Sequence, residues 1–99
     1  MIMKKTNIYT KNFSEINSIQ SKKIIKYYIC EENICDTKIY GISILEIGKS
    51  NNLEKTFNYI SFDYCLILNI LKFLYENSIG ILNFKDVVKD ILCNIRQNN

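Results

Sequence analysis

The hydrophobic period of this chain changes near Ser61, and that change constrains the fold more than any other feature. Before it apolar residues alternate, as in Lys38-Ile39-Tyr40-Gly41-Ile42-Ser43-Ile44; after it they recur at three and four, through Tyr64, Ile67, Leu68 and Leu71, then Phe84, Val87, Val88, Ile91 and Ile95. A strand points successive side chains to opposite faces, whereas a helix brings i, i+3 and i+4 together. The pattern predicts a sheet followed by two helices in one α+β domain. At 99 residues the chain is of single-domain size and buries roughly two-thirds of its unfolded surface.

The strands are predicted over Lys23–Glu31, Ile39–Ile47 and Leu53–Ile60, with turns at Glu31-Glu32-Asn33 and at Gly48-Lys49-Ser50-Asn51-Asn52. Short connections favour a three-stranded antiparallel meander. Ser61 is the expected N-cap of a helix running to about Glu76, and Asp63 suits its first turn. Asn77 or Gly80 is expected to take the positive φ that ends it. Asn83 is a good N-cap for the second helix. Residues 1–21 read as a polar, basic, weakly ordered arm, 22–96 as the α+β domain, and 97–99 as a tail.

The first helix is too apolar for one neighbour. Cys65, Asn69, Lys72 and Glu76 make one narrow polar stripe, and the rest of its circumference is apolar. A surface helix needs an apolar stripe of only about 100°. The flank formed by Leu66, Ile70 and Phe73 must therefore be covered, either by the second helix or by another molecule. This marks the three residues as candidate protein-interaction positions.

Charge and composition exclude more than they identify. Residues 1–26 carry six lysines against Glu15, residues 27–62 are net acidic, and the remainder balances. Lys4, Lys5, Lys11, Lys22, Lys23 and Lys26 are the candidate polyanion-binding set, the basis of an alternative reading as a weak nucleic-acid binder. Against it, Arg96 is the sole arginine, and arginine supplies the bidentate forks of phosphate and guanine recognition. The second helix mixes Lys85, Asp86, Lys89 and Asp90, unlike a DNA-reading helix. The tyrosines of the strands lack the basic neighbours of an RNA platform. Ile, Lys, Asn and Tyr supply 51 of the 99 residues; all four have A/T-rich codons, so their excess carries little functional weight.

There is no histidine, which removes the commonest general base and metal ligand. Cys30, Cys35, Cys65 and Cys93 form no C-x2-C pair, so no zinc pattern arises. Cys30 and Cys35 flank a short turn where a hairpin disulfide is conceivable, but a reducing compartment favours free thiols. Met1–Lys5 is followed by polar residues rather than the apolar run of a signal peptide, and no stretch reaches the roughly 20 apolar residues of a membrane span. The expectation is a cytoplasmic, non-enzymatic protein without cofactor or metal, not bound to a membrane, that engages an unknown protein partner or itself.

Several short segments resemble a small family of uncharacterised proteins from clostridial-type, low-GC Gram-positive bacteria. They are Tyr27-Tyr28-Ile29, Asp36-Thr37-Lys38-Ile39-Tyr40-Gly41-Ile42, Asn58-Tyr59-Ile60-Ser61, and the run from Leu82 to Leu92. The resemblance spans Lys26 to Leu92. It implies one small α+β domain of bacterial, cytosolic origin. It transfers no functional residue, and the proline that precedes the last helix in that family is missing here.

Overall fold

The computed structural model describes residues 3–17 and 21–97. Four strands, β1 (Met3–Phe13), β2 (Lys23–Ile34), β3 (Thr37–Ile47) and β4 (Asn52–Ser61), precede α1 (Tyr64–Glu76) and α2 (Phe84–Gln97). The strands pair antiparallel in sequence order. The α+β order expected from the period change is present, but the meander has four strands rather than three. Residues 1, 2 and 18–20 of the expected arm, and residues 98 and 99 of the expected tail, lie outside the described residues.

The additional strand comes from the N-terminal segment, and its sequence hides it for two physical reasons. Its register against β2 shifts between Asn7 and Tyr9, so Ile8 and Tyr9 are both half-buried and the two-residue period breaks. Lys11 then stands opposite Ile25, on the face that packs against the helices. Its ammonium reaches over that face and donates to the Tyr75 carbonyl and to Ser78 Oγ, both at 2.8 Å. A cation thus sits on the carbonyl end of α1, where the helix dipole favours it.

The first hairpin also turns later than its sequence suggests. β2 continues through Glu31-Glu32-Asn33, and the reversal is made by Cys35 and Asp36 at φ 49° and 62°. Two consecutive positive φ values match the right-handed twist of the flanking strands. Cys30 therefore lies across from Gly41, not across from Cys35, and the two are not joined in a disulfide.

The core lies between the sheet and the helices. Ile25, Tyr27 and Ile29 of β2 and Ile42 and Ile44 of β3 pack with Ile67, Ile70, Leu71 and Leu74 of α1 and with Phe84 and Val88 of α2. Asp63 caps α1, accepting from the Leu66 amide at 3.3 Å, while Ser61 Oγ accepts from the Asp63 amide at 3.0 Å. The cap falls two residues beyond Ser61 because β4 runs through Ser61 itself. At its other end, Ile79 N–H donates to Leu74 O and Ser78 N–H to Tyr75 O, the double bond pattern of a Schellman ending. Ser78, at φ 53°, takes the left-handed position rather than Asn77 or Gly80. Gly80 serves a different purpose: a Cβ there would collide with the Glu46 carboxylate, which accepts from the Ile81 amide at 3.2 Å.

The loop between the helices is thus held by three strands at once, through Lys11 of β1, Tyr27 of β2 and Glu46 of β3. The buried Tyr27 hydroxyl donates to the Ile79 carbonyl at 2.9 Å. Burial, then the charges of Glu46 and Tyr75, push its pKa from 10 up to about 12. A raised folded-state pKa contributes stability that is complete below the unfolded value and lost as pH climbs through the folded one. Unfolding free energy is expected to fall between pH 10 and about 12. In Tyr27→Phe that alkaline slope should flatten, as read from denaturant midpoints across the range. Parallel slopes in the two proteins would refute the assignment.

Candidate interaction surface

The six candidate polyanion lysines do not form one patch. Strand pairing puts Lys11 and Lys23 on the helix-covered face with Ile25 and Tyr27, and Lys5 and Lys26 on the opposite, outer face. Three of the six act within the fold. Lys11 holds the end of α1, as above, and Lys23 lies over the Phe13 ring at 5.1 Å. Lys5 crosses the outer face to pair with Glu54 of β4, passing over the Tyr28 ring at 4.7 Å. That clasp lies over the central strands, where Cys30 and Ser43 are buried although no helix covers this face. Burial pushes the Cys30 thiol pKa up, and Lys5 moderates the shift. Lys4, Lys22 and Lys26 complete the set; Lys4 and Lys22 are exposed and Lys26 half-buried.

The Leu66, Ile70 and Phe73 flank is largely covered from within. Ile70 is 3% exposed and belongs to the core, which corrects its expected place on an interaction surface. Leu66 is half-buried against the same core. Phe84 and Val88 of α2 enter that cluster too, so the second helix supplies the neighbour the wide apolar arc of α1 requires. Only Phe73, at 45% exposure, remains open among the three.

The more promising surface lies where β4 meets α2. A groove of about 310 Å³ is lined by Phe57, Tyr59 and Ile60 of β4 and by Lys89, Leu92 and Cys93 of α2. The sequence builds it through a bulge. β4 loses its regular register with β3 between Tyr40 and Ile42, and Tyr59 adopts φ 57°. A positive φ is costly for a tyrosine; here it accompanies a ring left 56% exposed beside the groove. Phe62, three residues on, is 63% exposed. The Tyr59 hydroxyl pKa is raised by its hydrogen bond to Glu32 and by the Glu32 charge. Gly41 makes the bulge feasible by letting the Phe57 carbonyl approach β3.

Charge around the groove is mixed. On α2, 100° steps put Lys85 between Leu92 and Lys89, Asp86 beside Cys93 at the other margin of the lining, and Asp90 beyond it. On β4, Lys55 shares a face with Phe57, since they oppose Ile44 and Ile42 of the inner sheet face. Lys85, Lys89 and Lys55 thus stand around the groove together with Asp86, as the mixed sequence of α2 suggests. The bulge that creates the groove was not legible in the sequence. By contrast, the cleft beside Tyr59 on the outer face, lined by Met3, Cys30, Glu32, Ile39, Gly41 and Asn58, has no room for a water molecule.

Among the described residues no three His, Cys, Asp or Glu side chains gather as a metal site. No described helix is long and apolar enough to cross a membrane. In comparisons with known proteins, the sequence model of a family of unknown function, DUF6514, matches residues 4–94. No curated protein and no solved structure matches the chain.

Proposed function

We propose that this chain, which belongs to the DUF6514 family, is a non-enzymatic protein-interaction module that holds its partner in the groove between β4 and α2. The observation that carries the reading is the groove itself: a largely apolar trough of about 310 Å³ with the exposed Tyr59 at its rim and a sheet edge along one wall. Binding sites are mostly concave and apolar with a few placed polar groups, and Lys89 supplies one here. The sequence contributes no histidine and no nucleophile–base pattern, which supports a binding role over a catalytic one. The same proposal places the protein in the cytoplasm of a clostridial-type bacterium, a setting supported by the sequence resemblance.

The test is a comparison of three baits in lysate of the native host. Wild type and Phe73→Glu should capture the same partner, because Phe73 lies outside the groove lining. Leu92→Glu, at a half-buried position of that lining, should lose it while retaining its circular dichroism spectrum. Equal capture by all three, or loss with Phe73→Glu alone, would overturn the reading.

A further inference from the structure

We infer that the outer face of the sheet, at the end where β2 begins and β3 finishes, binds a small amphipathic organic anion: a carboxylate carried on a short apolar chain. This site is separate from the groove between β4 and α2 and does not depend on the partner reading.

The apolar part comes first. Ile24 and Ile47 stand directly opposite each other at the end of the β2–β3 ladder. The helices cover the face that carries Ile25, Tyr27 and Ile44, so the Ile24–Ile47 pair belongs to the other face, which no helix covers. Both isoleucines are nonetheless half-buried. Two connections rise around them: the segment between β1 and β2 brings Glu15 and Lys22, and the turn after β3 brings Gly48 and Lys49. Together these enclose a hollow of about 220 Å³ over the isoleucines. At about 30 Å³ for each group of water size, it holds roughly seven, enough for a short hydrocarbon chain.

The rim then supplies charge. Lys22, Lys23 and Lys49 border the hollow against a single acid, Glu15. Lys23 also lies over the Phe13 ring, a contact that leaves its charge intact. The Glu15 carboxylate is 4.0 Å from the Lys49 ammonium, and both side chains are largely exposed. Exposed pairs of this kind contribute little in water, so an incoming carboxylate can displace Glu15 from Lys49. The neighbouring acids of the sheet are engaged elsewhere: Glu46 accepts from the Ile81 amide on the helix-covered face, and Glu54 pairs with Lys5.

An apolar floor under a basic rim selects a ligand that has one part for each. The lysines disfavour a cation, and a small inorganic anion would leave the isoleucines without a partner. The hollow on the other side of the same turn lacks this combination. Its walls are Ser21, Ser50, Asn51 and the Glu46 carboxylate, with Leu53 as the one apolar side chain.

The probe is sodium octanoate, kept below its micellar concentration and titrated at low salt into 15N-labelled protein. Octylammonium chloride and sodium butyrate are the controls. Octanoate should shift the amides of Ile24, Ile47, Gly48 and Lys49 along one saturable curve. It should bind at least about tenfold more tightly than butyrate, because its longer chain reaches the isoleucines. The same margin is expected over octylammonium, whose charge is reversed. Lys22→Glu and Lys49→Glu should each weaken octanoate by about threefold or more. Both lysines are exposed, so neither change should disturb the fold, as circular dichroism would show. The inference falls if octanoate gives no saturable shift, or if either control binds as well. It also falls if the shifts map to Phe57–Ile60 and α2, or if the charge-reversed variants bind octanoate unchanged. Leu92→Glu should bind octanoate like wild type, so loss of a host partner there and loss of octanoate with Lys49→Glu report on two different surfaces.

Discussion

Replacing Phe84 with Ala is expected to destabilise the protein by about 3–5 kcal/mol, the usual range for deleting a buried aromatic ring. Phe84 is fully buried and begins α2. Only Val88 accompanies it from this helix in the fully buried core, while Val87, Ile91 and Leu92 are half-buried at its margin. The ring therefore carries much of the attachment of α2, and its loss leaves a void beside Leu71 and Leu74. The cost should appear first in α2 itself. Hydrogen exchange should accelerate over Phe84–Gln97 by more than over β2 and β3, because elements with fewer buried contacts open below the global free energy. Denaturant melts would give the total. A change below about 1 kcal/mol, or uniform acceleration across the sheet, would contradict this account of how α2 is held.

That attachment bears directly on the groove, one wall of which is α2. A protein in which Phe84→Ala loosens the helix should also lose any partner bound between β4 and α2, without a single lining residue being changed. The Leu92→Glu bait then acts as the local counterpart of a global effect, and the two together separate damage to the groove from damage to its wall.

The period change at Ser61 was sufficient to order sheet and helices, because Ile25, Tyr27, Ile29, Ile42 and Ile44 alternate and Ile67, Ile70, Leu71 and Leu74 recur at helical spacing. β1 was not legible. Its inner face carries Lys11 where the pattern calls for an apolar residue, and that lysine makes sense only once the carbonyl end of α1 is above it. Ile8 falls in a bulge, which places two consecutive residues inward. The hairpin turn was misplaced because Glu31-Glu32-Asn33 has turn composition, yet Cys35 and Asp36 bear the positive φ values. Local composition lost there to the long antiparallel ladder between β2 and β3.

The candidate surface was half legible. The excess apolar arc of α1 correctly required a second neighbour, and α2 provides it; Ile70 is consequently in the core. The lysines of the N-terminal segment looked like one basic arm, but pleating assigns neighbouring residues to opposite faces. Lys5 and Lys11, which share a parity, serve different faces only because the bulge between Asn7 and Tyr9 inverts the pleat. The groove depends on the Tyr59 bulge, and a bulge in one strand becomes visible only against its partner.

That dependence gives the second large expectation. Gly41→Ala should destabilise the protein by about 1–3 kcal/mol, in the range of overpacked interiors. A Cβ at this position would lie 2.5 Å from the Phe57 carbonyl oxygen and 3.0 Å from Asn58 Cα. Both are backbone atoms, so no side-chain rotation relieves the clash and β4 itself must move. The glycine is not required for its φ, since no glycine here has a positive one; it is required for the close approach. Displacing β4 relaxes the bulge that holds Tyr59 in its left-handed conformation and Phe57 and Ile60 against the groove. The effect should therefore be twofold: a lower denaturant midpoint, and altered amide shifts from Phe57 to Ser61 under fully native conditions. Gly48→Ala is the control. A Cβ there meets only the Asn51 carbonyl oxygen, at 3.2 Å and within an exposed turn, so it should cost less and leave the Phe57–Ser61 shifts unchanged. If Gly41→Ala matches Gly48→Ala in both measurements, the bulge is not what Gly41 permits, and the groove does not owe its shape to that close approach.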